Sequence, residues 1–445
     1  MKTRAGMSVG GALSRRSLLA AAAGGTVAAL AAGCGSERYV QVVGSVPRDY
    51  RRRLHVVFWH AFGADLGIAM DKLIDEFNGL QDEIFVEGQF QGTYEATVQK
   101  LSASLIARQI PDIVNLSEVT WRKMHLADKL EPLNAYFGGD YTPDLYLDNF
   151  INEGTVKDTV WWIPFARSTP LFYFNKEVFG KAGLPETGPA NWRDLKEWAP
   201  ALQEHTKYSL ALAGGYASWY FQGNVWQWGG RFSDDLHVTL DDEKALEAGN
   251  WMVDLVRKDR AAYLSADSQV DFTNQVTACA MLSTGSLAAV SADAKFDVGT
   301  TFLPEYDGFG CPTGGSGIGV MRDAAQERKD AAMEFLRWLS QPAKSAQWTI
   351  DTGYMPVVEA AQEEKALLDK AKQDPNYRTA LNQLPKTKPQ DLIRPIVPSA
   401  GEMMDAALQK LYSSSDSVED VFARLNKRLQ RKADLISETY EAQYG

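Results

Sequence analysis

The sequence predicts an α/β protein divided into two lobes with a ligand cleft between them. Strand-like apolar segments alternate with helix-like segments between residues 54 and 118, a pattern typical of sheets with mostly parallel strands. Proline-containing extended segments at 165–176 and 351–358 interrupt two otherwise regular patterns. A chain of 445 residues is long enough for two domains. A segment that passes between domains lies at the kind of cleft where ligands bind.

The first lobe begins with three predicted strands separated by two helices. The strands cover residues 54–59, 83–90 and 112–116, and the helices end near Phe77 and Arg108. Ligands of parallel sheets bind at the carboxyl ends of the strands. Tyr94 follows the second strand and Glu118 follows the third, so both side chains are expected at the cleft.

The segment at 165–176 is interpreted as two extended pieces joined at a polar elbow, residues 166–169. Pro170 has no amide hydrogen, so the elbow is not expected in the middle of a sheet. Residues 171–174 are predicted to form a buried strand. The structural interpretation of Arg167 is that it supports the elbow through an ion pair.

An aromatic segment at 216–230 lies between two predicted helices of the second lobe, 192–203 and 243–256. Phe221, Trp226 and Trp228 are assigned to the core. Tyr216 and Trp219 are three residues apart and could share a helix face directed at a ligand.

The rest of the chain continues the same alternation. A strand is predicted at 296–302, followed by a glycine-rich extended segment at 313–320 and a helix that stops near Pro342. The C-terminal part is predicted as charged helices, with Arg394 in a loop at 389–395. The predicted first lobe comprises 54–164 and 312–350, and the second comprises 165–311 and 351–445.

The N-terminus has the features of an export signal that ends at a lipid anchor. Basic residues precede an apolar region, and residues 14–19 resemble a twin-arginine motif. Residues 31–34 resemble a bacterial lipobox with Ala in place of the usual Leu at its first position, so Cys34 is expected to be lipidated. Removal of residues 1–33 would make the chain more acidic, and residues 34–53 suit a flexible spacer. These features place the protein on the extracytoplasmic face of a bacterial cell membrane.

Composition excludes several classes of function. A net charge of −11 argues against a nucleic-acid-binding protein, because such proteins carry basic faces. Beyond the N-terminus no apolar run reaches the roughly 18 residues of a membrane-spanning helix. Cys279 and Cys311 are interpreted as two separate buried thiols, although an exported protein could join them.

The motifs of catalysis are missing from the sequence. The five histidines are scattered without metal-ligand spacing, and residues 314–318 fail the last position of the G-x-S-x-G pattern. The glycine-rich stretch at 315–319 lacks the lysine of a phosphate-binding loop. The sequence therefore predicts a binding protein without enzymatic activity, metal or cofactor.

The chain from about residue 54 to the C-terminus resembles family 1 extracellular solute-binding proteins. The resemblance rests on the twin-arginine lipoprotein signal together with residues 165–176, 283–286, 313–315 and 352–356. It is strongest to members that bind glycerol-3-phosphate and glycerophosphodiesters, such as glycerophosphocholine, for actinobacterial ABC importers. It implies the two-lobe periplasmic-binding-protein fold of type II, with hinge crossings that let the lobes close over a small molecule. It also implies a monomer that delivers its ligand to permease subunits driven by a cytoplasmic ATPase.

The resemblance also implies a set of ligand-binding residues. Carried over to this sequence they are Tyr94, Glu118, Ser168, Tyr216, Trp219, Ser286, Gly315, Tyr354 and Arg394. Arg394, Tyr354, Ser286 and the Gly315 amide would bind a phosphate, because anions need charged and backbone donors. The position of Tyr216 varies among relatives, which leaves the alcohol substituent open, and Ser283 is a near equivalent of Ser286.

Two other functions remain open at this point. The tryptophan-rich residues 219–228 favour a receptor for neutral sugars. An exported lipoprotein that hydrolyses phosphodiesters is the alternative from another class, although the sequence offers it no nucleophile or metal pattern.

Overall fold

The structure is a computed structural model that describes residues 39–445. The predicted export signal and Cys34 lie outside these residues. Within 39–445, no helix has both the length and the apolar character needed to cross a membrane.

The first lobe is built on a five-stranded mixed sheet. Its strands in spatial order are Ile84–Phe90, Leu54–His60, Ile113–Ser117, Gly314–Val320 and Ile163–Ser168. The first three run parallel, and the last two add antiparallel pairings on one side. The sequence predicted a largely parallel sheet. The structure corrects this prediction for the strand Gly314–Val320, which pairs antiparallel with both of its neighbours. The interior strands Ile113–Ser117 and Gly314–Val320 are almost entirely buried, as expected for a sheet covered by helices on both faces.

The second lobe repeats this arrangement. Its strands in spatial order are Ala262–Ser265, Tyr208–Ala213, Thr277–Ser283, Pro170–Asn175 and Val298–Thr301. Again three parallel strands are followed by two antiparallel pairings. Two separate sheets, rather than one continuous sheet, agree with the predicted two-lobe α/β fold.

Helices surround the two sheets. Those of the first lobe are Ala64–Leu80, Tyr94–Ile106, Trp121–Leu126, Asp148–Ile151, Gln326–Leu339 and Pro342–Thr352. Those of the second lobe are Lys176–Lys181, Trp192–Gln203, Ala217–Gln227, Glu243–Arg257, Ser268–Thr273 and Leu287–Asp293. The C-terminal helices are Lys365–Gln373, Asn376–Gln383, Ile393–Ile396, Ala400–Ser413, Val418–Asp434 and Ser437–Tyr444.

The chain crosses between the sheets at Thr169 and again between Thr301 and Gly314. The boundary expected between residues 164 and 165 therefore cuts through a strand, since Ile163–Ser168 belongs entirely to the first sheet. Arg167 is paired there with Gly315. Pro170 opens the next strand, a position that needs no amide donor.

Two further expectations about the chain ends are corrected. Residues 39–53 are not a free spacer, because Val40–Gln41 pairs with Gln109–Ile110 and the Arg53 guanidinium donates to the carbonyls of Asn78 and Gln81. The last helix was assigned to the second lobe, but Tyr444 contacts His125 of the first lobe at 2.8 Å.

Both cysteines of the described residues are buried free thiols. Burial in apolar surroundings raises the pKa of each thiol well above its ordinary value. The two residues therefore act as core side chains, as the sequence indicated.

Candidate ligand-binding site

Side chains from both lobes line a cavity of about 230 Å³. The lining includes all nine residues that the sequence predicted for the ligand site. It also includes Glu95, Ser117, Val119, Tyr220 and Ser283. The structure thus brings together residues that are up to 300 positions apart in the chain, from Tyr94 to Arg394.

The first lobe contributes residues that follow its parallel strands. Tyr94 is the first residue of its helix, where Thr93 caps the helix by accepting from the amide of Ala96. The Tyr94 hydroxyl donates to Ser316 Oγ at 3.1 Å. Glu118 directly follows the strand Ile113–Ser117, at the carboxyl end where parallel sheets bind ligands.

Gly315 allows the two antiparallel strands of this lobe to approach each other at the cavity. Its φ is +89°, and a Cβ atom there would lie 2.1 Å from the carbonyl oxygen of Ala166. Any other residue would therefore be strained and would clash with backbone. The carbonyl of Gly315 accepts from the amide of Glu118 at 3.1 Å, which ties two lining residues together.

The second lobe contributes an aromatic wall from the helix Ala217–Gln227. Trp219 lies in the first turn, and its indole Nε1 donates to the carbonyl of Thr313 at 3.0 Å. Tyr216 precedes the helix in a left-handed conformation, with φ of 56°. Its hydroxyl lies 3.5 Å from Glu95 Oε2 of the first lobe, so the two residues meet across one edge of the cavity.

Ser283 and Ser286 both line the cavity. Ser283 ends its strand and its Oγ accepts from the amide of Gly285 at 3.1 Å. Gly285 lies against the ring of Tyr354, since a Cβ atom at Gly285 would be only 2.7 Å from that ring. This close approach places Tyr354 beside the two serines.

Arg394 is only 4% exposed and lies in the short helix Ile393–Ile396, not in the loop that the sequence predicted. Its Nε donates to Ser218 Oγ at 3.0 Å, and its Nη1 donates to Gln390 Oε1. The Gln390 amide donates in turn to Glu118 Oε1 at 2.7 Å. Gln390 therefore connects a carboxylate of the first lobe to a guanidinium of the second.

Burial raises the pKa of Glu118 above its ordinary value, while the charges of Arg167 and Arg394 oppose the shift. Burial also raises the pKa of Tyr94 and of Tyr354, so both remain protonated hydroxyls. The cavity thus offers one guanidinium, two carboxylates (Glu118 and Glu95), and hydroxyls that both donate and accept. This set can bind a ligand that carries an anionic group and hydroxyls.

Arg167 supports the elbow in the way the sequence suggested. Its side chain is fully buried, and its Nη2 lies 2.7 Å from Glu153 Oε2. The guanidinium also lies over the rings of Trp162 and Phe150, about 5 Å from each.

Sequence reasoning missed Gln390 and Glu95 among the residues around the cavity. Gln390 precedes the short helix Ile393–Ile396, so helical spacing does not predict its contact with Arg394. Glu95 is adjacent to Tyr94 at the start of its helix. In neither case does the local sequence indicate a ligand.

The chain belongs to the family of bacterial extracellular solute-binding proteins, whose model matches residues 72–379. This finding confirms the family resemblance predicted from the motifs, and the fold and the interlobe cavity agree with it. The protein is a solute-binding protein.

Two of the relatives with similar sequences are sn-glycerol-3-phosphate-binding proteins. The chain is 26% identical to the sn-glycerol-3-phosphate-binding periplasmic protein UgpB of Yersinia pestis, over 87% of this chain and 93% of the relative. It is 25% identical to UgpB of Escherichia coli K12, over 91% of this chain and 97% of that protein.

Solved structures of solute-binding proteins resemble this chain over most of its length. UgpB of Mycobacterium tuberculosis, solved in complex with glycerophosphocholine, has a TM-score of 0.82 and 32% identity, covering 88% of this chain and 99% of that one. A cyclic α-maltosyl-1,6-maltose binding protein of Arthrobacter globiformis has a TM-score of 0.72 at 22% identity, over 86% of this chain and all of that one. The second similarity concerns the fold alone.

Proposed function

We propose that this protein is the substrate-binding lipoprotein of an ABC importer and captures glycerophosphodiesters, such as glycerophosphocholine, together with glycerol-3-phosphate. The observation that carries the proposal is the buried Arg394 guanidinium in a cavity that Glu118 lines from the opposite lobe. A protein of net charge −11 repels anions, so an anionic ligand needs a local positive charge. The similarity to a relative solved with glycerophosphocholine supports the same ligand class.

The phosphate is proposed to bind at Arg394, with Tyr354, Ser286 and the amide of Gly315 as further donors. Hydrogen bonds to a charged group are the strong ones, and a backbone amide beside a glycine can approach an anion closely. When the ligand binds, Arg394 exchanges its neutral partner Gln390 for the phosphate.

The remaining groups are proposed to bind the two alcohols of the diester. Glu118 accepts from the glycerol hydroxyls, while Tyr94 and Ser168 donate and accept. Trp219 and Tyr216 meet the second alcohol, and the face of the indole can hold a quaternary ammonium by a cation–π interaction.

Cys34 is proposed to carry a lipid that tethers the protein to the extracytoplasmic face of the membrane. The protein would act there as a monomer and deliver its ligand to permease subunits coupled to a cytoplasmic ATPase. No part of this proposal needs catalysis, because a receptor only has to bind and release.

A receptor for neutral sugars is the second candidate, favoured by the aromatic rings of Trp219, Tyr220 and Tyr354 around the cavity. A hydrolase of phosphodiesters is a more distant third. The hydrolase alternative is tested by incubating the purified protein with glycerophosphocholine. Release of choline or glycerol-3-phosphate would support hydrolysis.

Titration calorimetry separates the two receptor functions. We expect binding of glycerophosphocholine and glycerol-3-phosphate and no binding of maltose or other disaccharides. Tight binding of a disaccharide without binding of either phosphate compound would contradict the proposed ligand class.

A further inference from the structure

Thr313 lies in the segment that carries the chain from the second sheet back to the first, directly before the strand Gly314–Val320. It is completely buried, and it does not line the ligand cavity. Its side chain and its carbonyl oxygen face different partners, which makes it a connection between two parts of the molecule.

The side chain of Thr313 is held by a buried carboxylate. Thr313 Oγ1 donates to Glu153 Oε1 at 2.6 Å, and the other oxygen of Glu153 accepts from Arg167 Nη2 at 2.7 Å. A second contact of the hydroxyl, to the carbonyl of Lys388, is longer at 3.5 Å. Charge-assisted hydrogen bonds of this length are the strong class, so Glu153 determines where the hydroxyl points.

The carbonyl oxygen of Thr313 accepts two hydrogen bonds from groups at the cavity. The indole Nε1 of Trp219 donates at 3.0 Å and the side-chain amide of Gln390 donates at 3.2 Å. The Gln390 amide also donates to Glu118, as described above. One carbonyl therefore aligns the aromatic wall and the amide that lies between Glu118 and Arg394.

We infer that Glu153 and Thr313 are positioning residues of the ligand site. Glu153, neutralised by Arg167, fixes the Thr313 side chain, and Thr313 thereby holds its carbonyl where Trp219 and Gln390 need an acceptor. Neither residue lines the cavity. This inference rests on the proposed function and names residues that tune the affinity of the same site.

Thr313→Val tests the inference because it keeps the shape of the side chain and removes only the hydroxyl. A buried hydrogen bond contributes modestly, so the affinity for glycerophosphocholine is expected to fall about tenfold. Thr313→Ser restores the hydroxyl and should bind within about twofold of the wild type. Thr277→Val is the matched control, since Thr277 is buried and donates to the carbonyl of Cys279 in the second sheet, away from the cavity. Its affinity should not change.

A double-mutant cycle with Trp219→Phe separates positioning from general destabilisation. Phenylalanine keeps an aromatic ring but cannot donate to the Thr313 carbonyl. Contacting residues show non-additive effects, so Thr313→Val should cost only about threefold in the Trp219→Phe protein. Additive losses would contradict the inference, and so would an equal loss in Thr277→Val.

A ligand-free measurement keeps the inference independent of the proposed ligand. In nitrogen-15 NMR spectra, the indole signal that disappears in Trp219→Phe identifies Trp219, and its hydrogen exchange should accelerate at least about tenfold in Thr313→Val. Unchanged exchange overturns the positioning role even if binding is weakened. If the wild type binds no glycerophosphocholine but the exchange is still faster in Thr313→Val than in the wild type, the proposed ligand is contradicted and the positioning role stands.

Discussion

The guanidinium of Arg394 is a positive charge held almost completely out of solvent in a strongly acidic protein. Such a group is stable only with partners, and here it has the oxygens of Ser218 and Gln390, neither of which carries a charge. The nearest carboxylate oxygen, Glu118 Oε1, is 3.9 Å away. An anionic ligand at Arg394 would therefore compete with this long ion pair and with the neutral oxygen of Gln390.

Arg394→Ala is therefore expected to weaken all phosphate-containing ligands. A hydrogen bond to a charged group contributes roughly 1.5–3 kcal/mol, so the loss should be about tenfold to a hundredfold. Calorimetry with glycerophosphocholine and glycerol-3-phosphate measures it. Arg431→Ala, which removes an exposed arginine from the C-terminal helix Val418–Asp434, is the control and should bind as the wild type does. Unchanged affinities in Arg394→Ala would make the proposed phosphate contact wrong.

Trp219→Ala is expected to distinguish the two ligands. The cation–π interaction contributes about 0.5–2 kcal/mol and is available only to a ligand with a quaternary ammonium. Binding of glycerophosphocholine should therefore weaken more than binding of glycerol-3-phosphate, and the ratio of the two dissociation constants gives the answer. An equal loss for both ligands would exclude a choline contact at this ring.

Glu118→Gln is expected to stabilise the ligand-free protein at neutral pH. Burial raises the pKa of Glu118 in the folded state, so folding favours its protonated form. The contribution to stability is then present at low pH and is lost as the pH rises from the ordinary glutamate range through the raised pKa. Melting temperatures of both proteins at pH 4 and pH 7 measure this effect. The variant should exceed the wild type at pH 7 by more than at pH 4, and the reverse order would contradict the assignment.

For individual residues, the sequence predicted part of the ligand site. Tyr94 and Glu118 could be placed from the position of strands alone, because carboxyl ends of parallel strands share an edge. The nine ligand-site residues were named through the family resemblance, and they remain proposals for ligand contact. Gln390 and Thr313 could not be found, since their roles depend on side chains that are distant in sequence and meet only in the folded chain.

Among the elements, the strand Gly314–Val320 brings the first sheet to the cavity, because its second residue, Gly315, lines it. It pairs with two strands of the first sheet, and its register shifts between Gly315 and Gly317. The shift and the positive φ of Gly315 occur together at the cavity. The glycine-rich sequence was interpreted as letting the backbone approach an anion, and it gave no indication of the close approach to the Ala166 carbonyl.

Gly315→Ala is expected to destabilise the protein, because a side chain there meets the Ala166 carbonyl oxygen and the backbone has a left-handed conformation. Substitutions that conflict with the native backbone cost more than about 1 kcal/mol. Denaturant unfolding measures the loss. Gly79→Ala is the matched control, since Gly79 lies in a helix with open space around it and should keep or slightly raise the stability. Equal stability of the two variants would contradict the geometry at Gly315.

Local periodicity explains which elements the sequence predicted well. The helix Trp192–Gln203 was predicted at its observed bounds, and the strand Ile84–Phe90 within one residue, because both have regular apolar spacing and clear end signals. The crossing at Thr169 is the last residue of the predicted elbow, 166–169, because the pairing of Arg167 with Gly315 extends the preceding strand to Ser168. Residues 39–53 looked like a spacer because their partners, such as Asp112 for Gln41, lie far along the chain.

At the scale of the whole molecule, we expect ligand binding to be coupled to closure of the two lobes. Two hydrogen bonds cross the cleft, one from the Gln390 amide to Glu118 and one from the Tyr216 hydroxyl to Glu95. Glu118, Tyr216 and Glu95 line the cavity. Hinge closure around a ligand is a common movement of two lobes that are joined by chain crossings. A ligand that contacts both lobes shifts the population toward the closed arrangement.

Small-angle X-ray scattering is expected to show this closure as a decrease in the radius of gyration when glycerophosphocholine is added to the purified protein. The Arg394→Ala variant at the same ligand concentration should show a smaller decrease, because less of it is bound. An unchanged radius in a wild type that calorimetry shows to be saturated would contradict coupled closure.

A crystal structure of the protein with glycerophosphocholine tests the central claim most directly. The phosphate oxygens should lie within hydrogen-bond distance, about 3 Å, of the Arg394 guanidinium, with the glycerol hydroxyls at Glu118 and the choline at Trp219. A ligand found outside the interlobe cavity, or one whose phosphate faces away from an Arg394 that still donates to Gln390, would contradict the account.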